Sequence, residues 1–262
     1  MTLFSEEDFL SWGWRIPFLL SSVLVLLGLW IRKDIDETPD FQKVKASGQV
    51  AKAPLRDTLK HHWREVLIAA GLKVVETAPF YIFSTFVVSY ATSTLAYQKS
   101  QALEAVTLGA LVATIMIPLM GLLSDKIGRQ RMYATSVFIL GLFIVPWFML
   151  LNTGTTWGIV IATVIAFGVL WAPVTAVLGT LCSEIFSANV RYTGITLGYQ
   201  LGAALAGGTA PLIATGLLAK YDGDWVPVAW YLAVTVTISL IAIFCASRVK
   251  RATLIQAQPE RL

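Results

Sequence analysis

Seven apolar stretches punctuate this chain, near Trp14–Ile31, Val66–Thr92, Ala102–Ser124, Met132–Leu151, Trp157–Leu181, Gly194–Ala219 and Val226–Ala246. Each approaches or exceeds the roughly 20 residues that an α-helix needs to cross the hydrocarbon core of a bilayer. The runs are continuous rather than alternating, so they read as helices and not as barrel strands. With 56% apolar and only 14% charged residues, a soluble core could not hide them all. The expected fold class is an all-α membrane protein with seven transmembrane helices.

The cations orient those helices. Arg32–Arg64 is rich in Lys and Arg, as cytoplasmic connections are, so the first span is expected to run from outside to inside. On alternation Lys126, Arg129, Arg131, Arg191, Arg248, Lys250, Arg251 and Arg261 fall inside, leaving Arg15, Lys99 and Lys220 outside. The amino terminus is then external and the carboxyl terminus cytoplasmic. No secretory signal is expected, because Met1–Leu10 carries Glu6, Glu7 and Asp8 but no cation. Four segments follow: an external tail and lone helix over 1–32, a cytoplasmic central loop over 33–65, a six-helix bundle over 66–247, and a cytoplasmic tail over 248–262. The loop holds Pro39, Pro54 and a flexible Lys45–Lys52 stretch, then a short surface helix at Leu55–Trp63. The net charge of +4 follows topology and does not imply nucleic acid.

Lys73 and Glu76 lie inside the second span. An ionisable group at mid-depth costs about 2.5–3.5 kcal/mol on insertion scales, so such residues mark pathways or pair with each other. Three residues apart, these two share a helix face. Glu76 is suited to take up a proton from a partly wet cavity and Lys73 to meet an anionic group; a self-neutralising pair at a helix interface is the structural alternative. Tyr199 and Gln200 are polar groups in the inner third of the sixth span, facing substrate or bonding a neighbouring helix. Gly194, Gly198 and Gly202, continued by Ala206 and Ala210, form a ridge of small residues along which helices can approach closely. Trp171-Ala172-Pro173 interrupts the fifth span midway, since proline removes a backbone hydrogen bond.

The run Gly121–Arg131 packs Asp125, Lys126, Gly128, Arg129 and Arg131 into a turn between two spans. With Glu184 and Arg191 it forms a set of opposed charges at the cytoplasmic face, a gate whose exposed pairs are each worth about 0–1 kcal/mol and so break easily. Plain topological decoration of loops is the alternative. Cys182 and Cys245 have no disulfide or metal spacing, and His61 and His62 sit together in a polar loop. No metal site, cofactor or catalytic residue is expected, and no nucleotide-binding loop or activated nucleophile points to an enzyme.

Four stretches together resemble a known family: Gly13–Phe18, Glu37–Phe41, Asp125–Arg129, and Val190–Gly194 followed by Leu197–Gly202. They are similar to the carboxyl-terminal part, helix six onward, of a major facilitator superfamily transporter. More narrowly they resemble the metabolite:proton symporter family, which carries shikimate, α-ketoglutarate, citrate and proline or betaine. Phe186-Ser187-Ala188-Asn189 departs from the Phe-Pro usual there. The resemblance implies a secondary active transporter of the bacterial inner membrane, coupling a proton to a small organic acid or betaine-like zwitterion by alternating access. It also implies a fragment whose missing N-terminal half, one of the two six-helix halves of such carriers, would complete the cavity. A seven-helix receptor, a half-transporter that dimerises and a non-transporting truncated gene product are the alternatives, although a retinal receptor needs a lysine that Val226–Ala246 lacks.

Overall fold

The computed structural model describes residues 6–33, 42, 46 and 54–256. The Glu37–Phe41 run, most of Lys45–Lys52 and Arg261 lie outside the described residues, as do the side chains of Lys250 and Arg251. Among the described residues there is no strand, and seven helices are long and apolar enough to cross a membrane. The protein is an all-α membrane protein. The chain divides into two units, Met1–Val50 and Ala51–Leu262.

The first unit holds α1 (Glu6–Ser11) and α2 (Gly13–Lys33). Trp12 breaks the helix between them, and a single tight turn over Gly13–Arg15 restarts it. The Arg15 guanidinium lies over the Trp14 ring at 4.3 Å, an arrangement suited to a membrane–water boundary. Ile16–Lys33 buries no residue. A helix apolar on every side needs lipid or other helices around it.

The second unit holds α3 (Pro54–His61), α4 (Trp63–Ser93), α5 (Lys99–Ile127), α6 (Arg129–Leu151), α7 (Thr156–Ser183), α8 (Arg191–Lys220) and α9 (Val226–Gln256). Helix α4 is its hub, packed against α8 and α9 and touching α7. Side-chain hydroxyls tie it to its neighbours where a buried polar group must find a partner. Tyr133 on α6 donates to the Leu72 carbonyl at 2.5 Å, and Ser239 on α9 donates to the Gly71 carbonyl at 2.6 Å. At the opposite end of the bundle, aromatic rings fill the core. Phe83 meets Trp147 edge-on at 4.9 Å, and Phe148 stacks on Trp225 at 5.0 Å. Tyr97, in the short link between α4 and α5, donates to the Leu151 carbonyl at 2.9 Å. Burial pushes its phenol up, which keeps it a donor.

The helices outrun the apolar windows that predict them. Helix α9 continues to Gln256, ten residues beyond the expected end at Ala246, because polar residues remain helical once clear of the hydrocarbon. Three helices also widen locally: α4 over Ile82–Phe86, α7 over Val164–Leu170 and α8 over Ala203–Gly207. The first follows Pro79 and the second precedes Pro173, where the missing N–H loosens the ladder.

Candidate functional site

Lys73 and Glu76 project from the middle of α4, and the Lys73 ammonium pairs with Glu76 Oε2. Their side chains are 18% and 13% exposed, so the pair is largely desolvated but still reachable. Thr77 Oγ1 lies 2.9 Å from Glu76 Oε2 and 3.0 Å from the Lys73 carbonyl oxygen. Helix α7 adds Trp171, whose Nε1 donates to the Glu76 carbonyl oxygen at 2.6 Å, and Thr175, whose hydroxyl is 3.5 Å from Glu76 Oε1. Helix α8 adds Tyr199, with Lys73 Nζ 4.9 Å above its ring, a cation–π contact strengthened by desolvation. Removing one partner of a largely desolvated pair leaves an uncompensated charge, at a cost below the roughly 3–5 kcal/mol of a fully buried pair.

Aromatic rings wall one end of this pair. Phe80, one turn beyond Glu76, stands 5.3 Å from the Trp171 ring and 5.6 Å from the Phe167 ring. Trp171 and Thr175, four residues apart, reach Glu76 from α7, while Phe167 packs against Phe80 and Trp171. The expected interruption at Trp171-Ala172-Pro173 takes the form of a wide turn that ends at Trp171 and a new helical segment beginning at Ala172.

The small-residue ridge on α8 meets α4. A Cβ at Gly198 would stand 2.5 Å from the Ala69 Cβ; one at Gly202 would stand 2.5 Å from the Ala70 carbonyl oxygen and 2.7 Å from the Lys73 Cβ. Gly194 instead faces the Phe186 ring. Of the residues expected at the pathway, Lys73, Glu76 and Tyr199 come together, whereas Gln200 is exposed on the adjoining side of α8.

At the α5–α6 turn the helices run closer than the sequence suggests. A single residue, Gly128, separates Ile127 from Arg129, at φ +93°, a backbone conformation that favours glycine. Arg129 is therefore the first residue of α6 rather than a loop residue, and Arg191 likewise opens α8. Arg129 Nη1 donates to Glu184 Oε1 at 2.6 Å and Nη2 to Asp125 Oδ1 at 3.1 Å. These groups, with Lys126 and Arg131, border a cleft of about 510 Å³. Arg191 Nε donates to the Phe186 carbonyl at 3.4 Å. Gly121 lies mid-helix with nothing within 4 Å of where a Cβ would stand, and nothing in the structure explains a glycine there.

The sequence pointed to neither Thr77 nor Thr175. Their signal was present: each is a hydroxyl residue on a face that already carries an ionisable or aromatic group. Among the described residues no three His, Cys, Asp or Glu side chains gather as metal ligands would.

A hub helix carrying a desolvated ion pair, inside a bundle of membrane-spanning helices, defines a multi-pass membrane protein with a polar centre. The model of the Major Facilitator Superfamily matches residues 9–207 and, in a second alignment, 74–261, and the chain belongs to that superfamily. It is 32% identical to the shikimate transporter of Escherichia coli over 250 residues, which cover 95% of this chain and 57% of that protein. It is 29% identical to the inner membrane metabolite transport protein YhjE of Escherichia coli, covering 96% of this chain and 58% of that protein. The proline/betaine transporter of Salmonella typhimurium is 30% identical, over 92% of this chain and 49% of its own length. The chain thus spans about half the length of these relatives. No solved structure gives a significant match.

Proposed function

We propose that this chain forms part of a secondary active transporter of the inner membrane that couples proton entry to uptake of a small organic acid or betaine-like zwitterion. The observation that carries this reading is the Lys73–Glu76 pair, desolvated at mid-span yet partly exposed, in a chain whose relatives are carriers. Glu76 binds the proton; Lys73 and Tyr199 meet the substrate, with Gln200 on the exposed flank. Removing or adding a charge at this depth is costly enough that proton and substrate anion enter together.

In this reading Asp125, Arg129 and Glu184 latch the cytoplasmic end and separate when the site opens inward, while Gly198 and Gly202 let α8 slide along α4. Gly121, Lys126, Gly128, Arg131 and Arg191 border that gate, and Gly194 extends the ridge. The bundle over 66–247 acts as one half of an alternating-access carrier, joined by the central loop 33–65 to the lone helix, with the amino terminus outside and the tail 248–262 in the cytoplasm. A further half, protons, lipid and the substrate are its partners. The test is uptake of labelled shikimate, proline and glycine betaine in cells expressing the protein that carries this chain. Glu76→Gln is expected to remove the pH dependence of uptake; an unchanged pH dependence contradicts the proposal.

A further inference from the structure

We propose that Thr77 is a positioning residue that lets Glu76 change protonation state in place, and that a substrate carboxylate triggers the change by drawing Lys73 away. The inference rests on the reading of Glu76 as the proton carrier.

Thr77 has one hydroxyl hydrogen and two acceptors in reach, Glu76 Oε2 at 2.9 Å and the Lys73 carbonyl oxygen at 3.0 Å. A hydroxyl donates once and accepts through two lone pairs. While Lys73 holds Glu76, the carboxylate is satisfied by the ammonium, and the Thr77 hydrogen is shared between its two acceptors. A protonated Glu76 instead becomes a donor and needs an acceptor in a desolvated site. Thr77 Oγ1 already stands at hydrogen-bond distance, and its own hydrogen has the Lys73 carbonyl to turn to. Reversing that one bond accommodates the proton without moving a heavy atom of Glu76 or Thr77.

The hydroxyl is held in this position. Thr77 is buried, and a Cβ at Gly207 would collide with its Cγ2. Gly207 on α8 therefore leaves just the room that the Thr77 methyl occupies. Threonine χ1 in a helix divides between two rotamers, and seating the methyl against Gly207 selects the one that turns the oxygen toward Lys73 and Glu76. Thr175 approaches the other carboxylate oxygen at 3.5 Å.

The charges balance. The proton enters from water and binds Glu76 Oε2; Lys73 keeps its own proton and moves to the incoming carboxylate. One proton and one negative charge are thus taken up together. The titratable groups that face the pair are Tyr133 on α6, Cys182 on α7 and Tyr199 on α8. Helix α9 contributes Ser239 near this level, bonded to the Gly71 carbonyl and the Val75 amide. Lys73 is the sole cation in this set, so its departure is what leaves Glu76 without a countercharge.

Infrared difference spectroscopy of an acid titration tests this without a substrate. The protein that carries this chain is purified with Lys73→Met, which removes the cation as the substrate would. The carboxyl band absent in Glu76→Gln belongs to Glu76. Thr77→Val is expected to move that band to higher wavenumber, as for a carboxyl that has lost its acceptor, and Thr77→Ser to leave it in place. Thr77→Ala, measured in parallel, removes the hydroxyl without putting a methyl where the oxygen stood, and is expected to shift the band as valine does. A band unmoved by Val and Ala, or moved as far by Ser, overturns the role of Thr77 alone. If no band depends on Glu76, both the proton-carrier reading and this inference fall.

Discussion

Trp171 on α7 donates its indole N–H to the main-chain carbonyl of Glu76 on α4 at 2.6 Å. The bond fixes the proposed proton carrier through its backbone, leaving its carboxylate for Lys73, Thr77 and Thr175. It also falls where α7 leaves its wide turn over Val164–Leu170. Any change in that turn therefore reaches Glu76 directly.

Trp171→Phe keeps a ring beside Phe80 and Phe167 but deletes the donor. A net loss of about 0.5–1.5 kcal/mol is expected for one intramolecular hydrogen bond, read as a melting temperature lowered by a few degrees in detergent. Trp171→Leu, which also dismantles the aromatic wall, is expected to cost more. Equal melting of wild type and Trp171→Phe contradicts the role given to this bond.

Gly202→Ala places a Cβ 2.5 Å from the Ala70 carbonyl oxygen. Overpacking of this kind costs about 1–3 kcal/mol, because α8 must move off α4. Gly216→Ala, on the same helix with nothing within 4 Å, is the control and is expected to be neutral or slightly stabilising. Thermal melting of the two variants separates local crowding from a general intolerance of substitution in α8.

Arg129→Ala removes both ion pairs at the α5–α6 turn. The Asp125 side chain is 59% exposed and that of Glu184 26%, so each pair is worth about 0–1 kcal/mol. Their joint loss is expected to raise labelling of Ser124→Cys by up to roughly tenfold, the equivalent of 1.4 kcal/mol. Ser124 is buried and borders the cleft. High salt is expected to act in the same direction on the wild-type gate. Unchanged labelling contradicts a latch.

Membrane-impermeant thiol reagents test the orientation. Thr153→Cys, in the α6–α7 turn, is expected to react from outside, and Lys126→Cys from the cytoplasm only. The reverse pattern contradicts an external amino terminus.

The spans were legible because length and apolarity alone decide whether a segment can cross a bilayer. The charged hairpin was legible for the same reason: Asp125 and Arg129 have few places to go between two spans. Its geometry was not, since the single-residue turn depends on the backbone angle of Gly128. Helix spacing announced that Lys73 and Glu76 could pair. Nothing in the sequence announced that Trp171 and Thr175 meet Glu76, which they reach across 95 and 99 residues of chain. Gln200 shows what adjacency in sequence leaves open. It adjoins Tyr199 in sequence, but one helical step turns it onto the exposed side.

Proton movement measured together with substrate movement tests the central claim most directly. Liposomes containing the protein that carries this chain, loaded with a pH-sensitive dye, are exposed to labelled shikimate, proline or glycine betaine. Internal acidification is expected to accompany uptake in the wild type and to disappear in Glu76→Gln. Acidification that persists undiminished in Glu76→Gln would contradict the assignment of Glu76 as the proton carrier.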